Sequence, residues 1–315
     1  MRVSFPPLVQ SQKRTGKHNF LYRLIPELEK LGVTCVGMDD DSDIKFHFVS
    51  YDPAAYGKFK NVIRLDGVNV EQGSNNKCIS ASYKLADGIA YQSQFSKRCC
   101  EALLSPAKPG AATDIINNGA STAFYSAIAP INLYYRYNIF CSSRRGLSHK
   151  RIPETISIFE RIQRDDVGLI IAGSVPSKNP HPRITYTGRL TESELGSYYR
   201  SCDLMLFMSW IDNCPNTIVE ALCAGMFSIV SNEGGTNELI NDSTGNVFEV
   251  DPPFPYKPVD TNNPPKISEA DKDSIARYIE NQIVYLGERP TFDNEKVRIE
   301  NVAKRYKDLF DRVIA

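Results

Sequence analysis

The sequence has no surplus of either charge. Over 315 residues, Lys and Arg total 37, and so do Asp and Glu. A nucleic-acid binder normally carries a basic excess, so a nucleic-acid partner is not expected. No apolar run approaches the ~20 residues that cross a bilayer. The opening Met1-Arg2-Val3-Ser4-Phe5-Pro6-Pro7 is too short and too Pro-broken for a signal peptide. A soluble, cytoplasmic protein is expected. The eight cysteines contain no C-x-x-C pair, and the four histidines, at 18, 47, 149 and 181, have no metal-ligand spacing. Adjacent Cys99 and Cys100, and single Cys35, Cys141, Cys202 and Cys223 within apolar runs, read as buried free thiols. No G-x-G-x-x-G follows a predicted strand, which argues against a nicotinamide-dependent dehydrogenase. Asp39-Asp40-Asp41-Ser42-Asp43 holds Asp-x-Asp spacings, but an acidic loop between strands is ordinarily solvated. No sequence repeat is found.

What is present is ordinary for a globular protein: 42% hydrophobic and 23% charged residues. The length suits two domains. Short apolar runs at 2–5, 33–37, 44–49, 61–65, 88–91 and 114–116 read as buried strands, and helix-like stretches alternate with them. Phe20, Leu21, Leu24, Ile25, Leu28 and Leu31 form the apolar face of the first helix; Gly32 stops it, and Pro26 predicts a kink or restart. A second series of strands follows at 137–141, 167–172, 183–187, 204–208, 227–230 and 246–250. Helices start at Pro153, Thr191, Asn216 and Thr236, and two more span 268–286 and 292–313. A polar, Pro-rich loop covers 251–265. The alternation predicts an α/β protein of two Rossmann-like domains, with ligands at the carboxyl ends of the strands. Expected boundaries are 1–130, 131–290 and a final helix at 291–315 packing back towards the first domain.

The most informative segment runs from Trp210 to Gly225, Trp-Ile-Asp-Asn-Cys-Pro-Asn-Thr-Ile-Val-Glu-Ala-Leu-Cys-Ala-Gly. It places Asp212 in a loop after a strand, opens a helix near Pro215, and puts Glu220 one turn inside. First-turn amides lack intrahelical acceptors and the peptide dipoles add positive potential, so this helix start suits a phosphate. A carboxylate such as Glu220 can accept hydrogen bonds from two vicinal hydroxyls, as on a ribose. On spacing alone, Asp212 as a helix cap and Glu220 as a solvated charge explain the segment equally well.

Together with Phe227-Ser-Ile-Val-Ser-Asn-Glu-Gly-Gly-Thr-Asn-Glu-Leu-Ile240, the segment resembles the nucleotide-binding signature of retaining glycosyltransferases of family 4, which have the GT-B fold. That pattern is a Glu, seven residues, a second Glu, Ala-x-x-x-Gly, a strand, and Gly-Gly-x-x-Glu. Here the first position is the shorter Asp212 and the second is Glu220. The resemblance implies that Glu220 binds the donor ribose, that Asp212 faces hydroxyls of the transferred sugar, and that the turn of Asn213, Cys214, Pro215, Asn216 and Thr217 is donor-binding, its amides facing the diphosphate. Arg145 and Lys150, five residues apart after strand 137–141, match the family's cation pair on the diphosphate, with Arg144 an ambiguous neighbour. In isolation that stretch is a basic solvated loop. The resemblance also implies that the nucleobase lies against the strand-to-helix junction at Gly188, Arg189 and Leu190, where Thr191 serves equally as a helix cap in a box with Glu194.

In the first half, Gly16 sits where the family has a Gly-rich loop near the donor phosphates or acceptor. Arg64-Leu65-Asp66-Gly67 occupies the position of a Thr-x-His-Asp-like segment, with Asp66 in place of the His near the transferred sugar. Segments 86–97 and 115–119 match cleft-facing segments of the family, although a tight turn of positive φ explains Asn118-Gly119 by itself. The expected activity is retaining, metal-independent transfer from a UDP- or GDP-sugar to a carbohydrate or glycolipid acceptor, with no resident cofactor. Lys13-Arg14-Thr15-Gly16-Lys17 is a basic patch suited to an acceptor, a phosphate or a membrane surface. The alternative is a nonenzymatic nucleotide-sugar-binding protein on the same fold. Donor sugar, acceptor and oligomeric state are not legible.

Overall fold

The computed structural model describes residues 1–8, 16–143, 147–175, 178–286 and 294–315. The chain divides into two compact units. One comprises Met1–Ser121, Pro255–Val259 and Glu295–Ala315; the other comprises Thr122–Phe254 and Asp260–Asn294.

The first unit contains β1 (Arg2–Phe5), α1 (Gly16–Lys30), β2 (Thr34–Gly37), β3 (Ile44–Phe48), α2 (Pro53–Tyr56), β4 (Lys60–Leu65), α3 (Lys77–Tyr83), β5 (Gly88–Tyr91), α4 (Gln94–Leu103) and β6 (Ala112–Ile115). The strands form a parallel sheet in the order β2-β1-β3-β4-β5-β6. Parallel strands are covered on both faces, which is why β4 after Lys60, and β5 throughout, are buried without alternation. Phe20, Leu21, Leu24 and Leu28 of α1 are buried against this sheet's core, and Gly32, at φ 79°, ends the helical stretch. Pro26 does not interrupt α1, which runs unbroken; the residue is exposed, where water can satisfy the carbonyl that its missing N–H leaves over.

The C-terminal helix, Ile299–Ile314, belongs to this unit. Its Val302, Tyr306, Leu309, Phe310 and Val313 recur at three- and four-residue spacing and are all buried. The Tyr306 ring lies 5.8 Å from those of both Phe20 and Phe46. Gly119 serves this packing rather than a positive-φ turn. Its φ is outside the left-handed region, and a Cβ there would lie 2.9 Å from Ile299 Cα.

The second unit contains α5 (Thr122–Ala127), β7 (Tyr137–Ser143), α6 (Ile152–Phe159), β8 (Val167–Gly173), β9 (Ile184–Gly188), α7 (Glu192–Ser201), β10 (Leu204–Phe207), α8 (Asn216–Cys223), β11 (Phe227–Ser231), β12 (Gly245–Phe248) and α9 (Glu269–Gln282). Its parallel sheet has the order β12-β11-β10-β7-β8-β9. Counted within the unit this is 3-2-1-4-5-6 read from β9, so the strand order reverses between β7 and β10. Ile139, Leu169, Ile171, Leu206 and Ile229 from the sheet pack with Ile156 and Phe159 of α6 and Ile275 and Ile279 of α9.

The helix expected from Thr236 is only a 3-10 turn, Asn237–Leu239. Two Asn side chains divert the backbone. Asn237 donates back to the Asn232 carbonyl, and Asn241 Oδ1 accepts from the amides of Ser243 (3.0 Å) and Thr244 (3.1 Å). The last two helices are also shorter than expected, starting at Glu269 after the Ser268 cap and at Ile299 after a 3-10 turn, Glu295–Val297. All eight cysteines are free, and of them Cys78 is exposed. Among the described residues no helix is long and apolar enough to cross a membrane.

Candidate functional site at the switch point of the second sheet

The reversal between β7 and β10 opens the carboxyl ends of two adjacent strands whose crossovers diverge, the place where open α/β sheets bind ligands. Lys150 follows β7 and Asp212 follows β10. The side chains form an ion pair through Lys150 Nζ and Asp212 Oδ2, each about one-fifth exposed. Lys150 is held there from both sides in the chain. On one side, the His149 carbonyl accepts from Trp210 N at 2.9 Å, tying the 3-10 turn Ser148–Lys150 to the segment carrying Asp212. On the other, Arg151 adopts the left-handed conformation at φ 51°, and its buried guanidinium pairs with both oxygens of buried Asp251. Burial, then the neighbouring Lys150 cation, push the His149 imidazole down to about 4, so it is neutral at pH 7. The Lys150 ammonium also lies 5.4 Å from the Phe207 ring centre.

Asp212 is fixed by backbone as well. Gly235 N donates to the Asp212 carbonyl at 2.6 Å. Gly234 has φ 86°, and a Cβ there would lie 2.8 Å from Asp212 N. Gly234 therefore has a steric cause: the left-handed backbone and the approach to Asp212 both exclude a side chain there.

Pro215 is the N-cap of α8 and supplies no side-chain hydrogen bond to the first turn. Cys214 and Pro215 are buried, while Asn213, Asn216 and Thr217 are half-buried. Glu220 is buried, at 6% exposure, and Tyr199 Oη donates to its Oε2 at 3.3 Å. A solvated surface charge is thus not an account of Glu220. Neither is Asp212 the cap of α8. Buried carboxylates are kept for a partner or a function.

The junction after β9 is at the sheet edge. Gly188 has φ 69°, Arg189 is exposed and Leu190 half-buried. Thr191 completes the capping box: its Oγ1 accepts from Glu194 N at 3.3 Å, and Glu194 Oε2 accepts from Thr191 N at 2.7 Å. Arg144 and Arg145 lie outside the described residues, as do Lys13, Arg14 and Thr15.

In the first unit, Gly16 is the first residue of α1. Asp66 follows β4, and Gly67, at φ 108°, turns the chain away directly after it. Asp66 Oδ1 is 3.1 Å from Arg64 Nη1 and accepts from Gln92 Nε2 at 3.1 Å. Sequence reasoning missed Arg64, Gln92 and Asn118. The available signal was a lone cation inside the apolar run Val62-Ile63-Arg64-Leu65. In the acidic loop, Asp40 and Asp43 carboxylates accept from backbone amides of Gly37 (2.8 Å) and Arg2 (2.7 Å). Among the described residues, no three His, Cys, Asp or Glu side chains gather as a metal-binding group.

Comparison with known proteins bears on both units. Residues 136–253 match the family described as glycosyl transferases group 1. No curated protein matches the chain. Among solved structures, HepE from Anabaena, in complex with UDP and glucose, is similar with TM-score 0.65 and 12% identity, over 98% of each chain. Sucrose-phosphate synthase from Thermosynechococcus elongatus gives 0.63 and 14% identity, over 99% of this chain and 96% of that one. The lipopolysaccharide outer core galactosyltransferase WaaB gives 0.61 and 14%, over 99% and 98%. At such identities the likeness establishes the fold, which is GT-B.

Proposed function

We propose that this protein is a retaining, family 4-type glycosyltransferase that moves a sugar from a UDP- or GDP-sugar to a hydroxyl of a carbohydrate or glycolipid acceptor. The observation that carries this is the Lys150–Asp212 pair at the switch point, one helix start away from buried Glu220, within the region that matches glycosyl transferases group 1. HepE, a structural neighbour, is described in complex with UDP-glucose, which supports a nucleotide-sugar donor.

In this reading Glu220 accepts hydrogen bonds from the donor ribose, and the start of α8 receives the diphosphate. Lys150 exchanges its bond to Asp212 for the diphosphate, and the Asp212 carboxylate takes hydroxyls of the transferred sugar. Arg145 adds a second cation. Transfer breaks the bond between the anomeric carbon and the β-phosphate oxygen, while the acceptor oxygen bonds to the same face of that carbon. The acceptor proton passes to the departing phosphate oxygen, so no carboxylate is required as a general base. Charge on the leaving diphosphate is met by Lys150, Arg145 and helix amides, which supports metal-independent chemistry without a resident cofactor.

A thermal-shift screen against UDP-, GDP- and ADP-sugars tests the reading, since a ligand at 100 times its Kd stabilises by about 2.7 kcal/mol. Stabilisation by one donor class, followed by sugar transfer or slow hydrolysis that survives a chelator, is expected. Binding without any consumption of donor favours the nonenzymatic alternative. Activity lost with a chelator and restored by a divalent cation contradicts the metal-independent mechanism.

A further inference from the structure

The carboxyl ends of β4, β5 and β6 in the first unit hold a buried polar cluster around Asp66, and none of the roles above extends to its members Arg64, Gln92, Asn117 and Asn118. Arg64, on β4, has a side chain only 2% exposed. Its Nη2 donates to Asn118 Oδ1, which also accepts from Gln92 Nε2 at 3.0 Å. Gln92 Nε2 reaches Asp66 Oδ1 as well, and the Gln92 carbonyl accepts from Asn117 Nδ2 at 2.8 Å. The guanidinium carbon lies 4.0 Å from the Phe20 ring centre and 5.2 Å from that of Phe48. Among the described residues Nε and Nη1 of Arg64 find no hydrogen-bond partner, although Nη1 faces Asp66 Oδ1 at 3.1 Å.

Burying a cation between aromatic rings with part of its donor set unused is costly, and replacing buried ionic groups by apolar residues of similar volume is often neutral or stabilising. Beside it, Val49 has φ 65°, an unfavourable conformation for a β-branched residue, and its amide donates to the Arg64 carbonyl at 2.8 Å. What the cluster achieves is directional. Gln92, Asn117 and Asn118 are all buried, whereas the Asp66 side chain is 24% exposed, so the one carboxylate of the group reaches solvent at the carboxyl edge of the sheet. Arg64 and Gln92 both approach the same oxygen, Oδ1, and fix the carboxylate plane.

We infer that Arg64 is a positioning residue: with Gln92 and Asn118 it orients the Asp66 carboxylate to accept a hydrogen bond from a sugar hydroxyl, and does not itself touch the ligand. This rests on the glycosyl-transfer reading. The hydroxyl can come from the donor's sugar or from the acceptor.

The test is a double-mutant cycle in the full-length protein with UDP-glucose and GDP-mannose as donor probes. It uses Arg64→Met, Asp66→Asn and their combination, with thermal unfolding as the folding control. Arg64→Met is expected to lower donor turnover about 10- to 100-fold while leaving Kd for UDP or GDP unchanged. Added to Asp66→Asn, it should lower turnover less than about threefold further, because both act through one carboxylate. Gln92→Leu, a milder change at the same oxygen, should show the same non-additivity if Arg64→Met fails to fold. A hydroxyl on the donor predicts that Asp66→Asn weakens UDP-glucose or GDP-mannose binding but not UDP or GDP; a hydroxyl on the acceptor predicts that it weakens neither and lowers turnover alone. Equal penalties for Arg64→Met, or for Gln92→Leu, in both backgrounds would mean a purely structural cluster and overturn the assignment. A wild-type protein that neither binds nor consumes either donor would overturn the glycosyl-transfer reading, and this inference with it.

Discussion

His149 stands one residue before Lys150 and is neutral in the folded protein, with its imidazole held down to about 4 by burial and by the Lys150 cation. The unfolded chain protonates near 6.5, so between these values the unfolded state binds the extra proton and stability falls as pH falls. The loss amounts to at most about 3 kcal/mol, less after allowance for partial exposure. Urea unfolding at pH 7, 5.5 and 4.5 should show a smaller acid loss in His149→Gln than in the wild type. Equal slopes would contradict the assignment. At Lys150 the expected effect is on rate. If the ammonium meets charge developing on the leaving diphosphate, Lys150→Ala lowers turnover by about 10²- to 10³-fold with a much smaller change in donor Kd, read from single-turnover kinetics. A change confined to Kd would instead make it a ground-state contact.

At the scale of elements, the loop after β11 determines where Asp212 sits. Gly234→Ala puts a methyl group against the Asp212 amide in a left-handed backbone, so a stability loss of about 1 to 3 kcal/mol is expected, together with weaker donor binding. Unchanged unfolding and unchanged donor affinity would show that the loop is free to adjust. The strands were legible because a parallel sheet buried on both faces leaves a near-continuous apolar signature, as in residues 204–207. The helix expected from Thr236 was not, because two Asn side chains compete with helical hydrogen bonds there and nothing in the apolar spacing reveals it. Gly119 was misread for a similar reason. A glycine required by a distant helix looks the same in sequence as one required by a turn. The Lys150–Asp212 contact joins residues 62 apart in the chain, and the spacing around either residue gives no sign of the other. Arg64 was overlooked because its partners Gln92 and Asn118 arrive from two other strand ends.

At the scale of the whole molecule, the GT-B fold extends over 98–99% of the chain in structural comparison, whereas the sequence signal for glycosyl transferases group 1 is confined to residues 136–253. The second unit retains the readable chemistry, and the first retains the fold with a cluster of its own. On the proposed function, donor recognition belongs to the second unit, and Glu220 is the residue whose loss should be felt in nucleotide binding itself. The most direct measurement is calorimetric titration of UDP and GDP into the wild type and Glu220→Ala. The account predicts that the wild type binds one of the two and that the variant binds it about 10- to 100-fold more weakly, the equivalent of a charge-assisted contact worth roughly 1.5 to 3 kcal/mol. Equal affinity in the two proteins, or no binding of either nucleotide by the wild type, would contradict it.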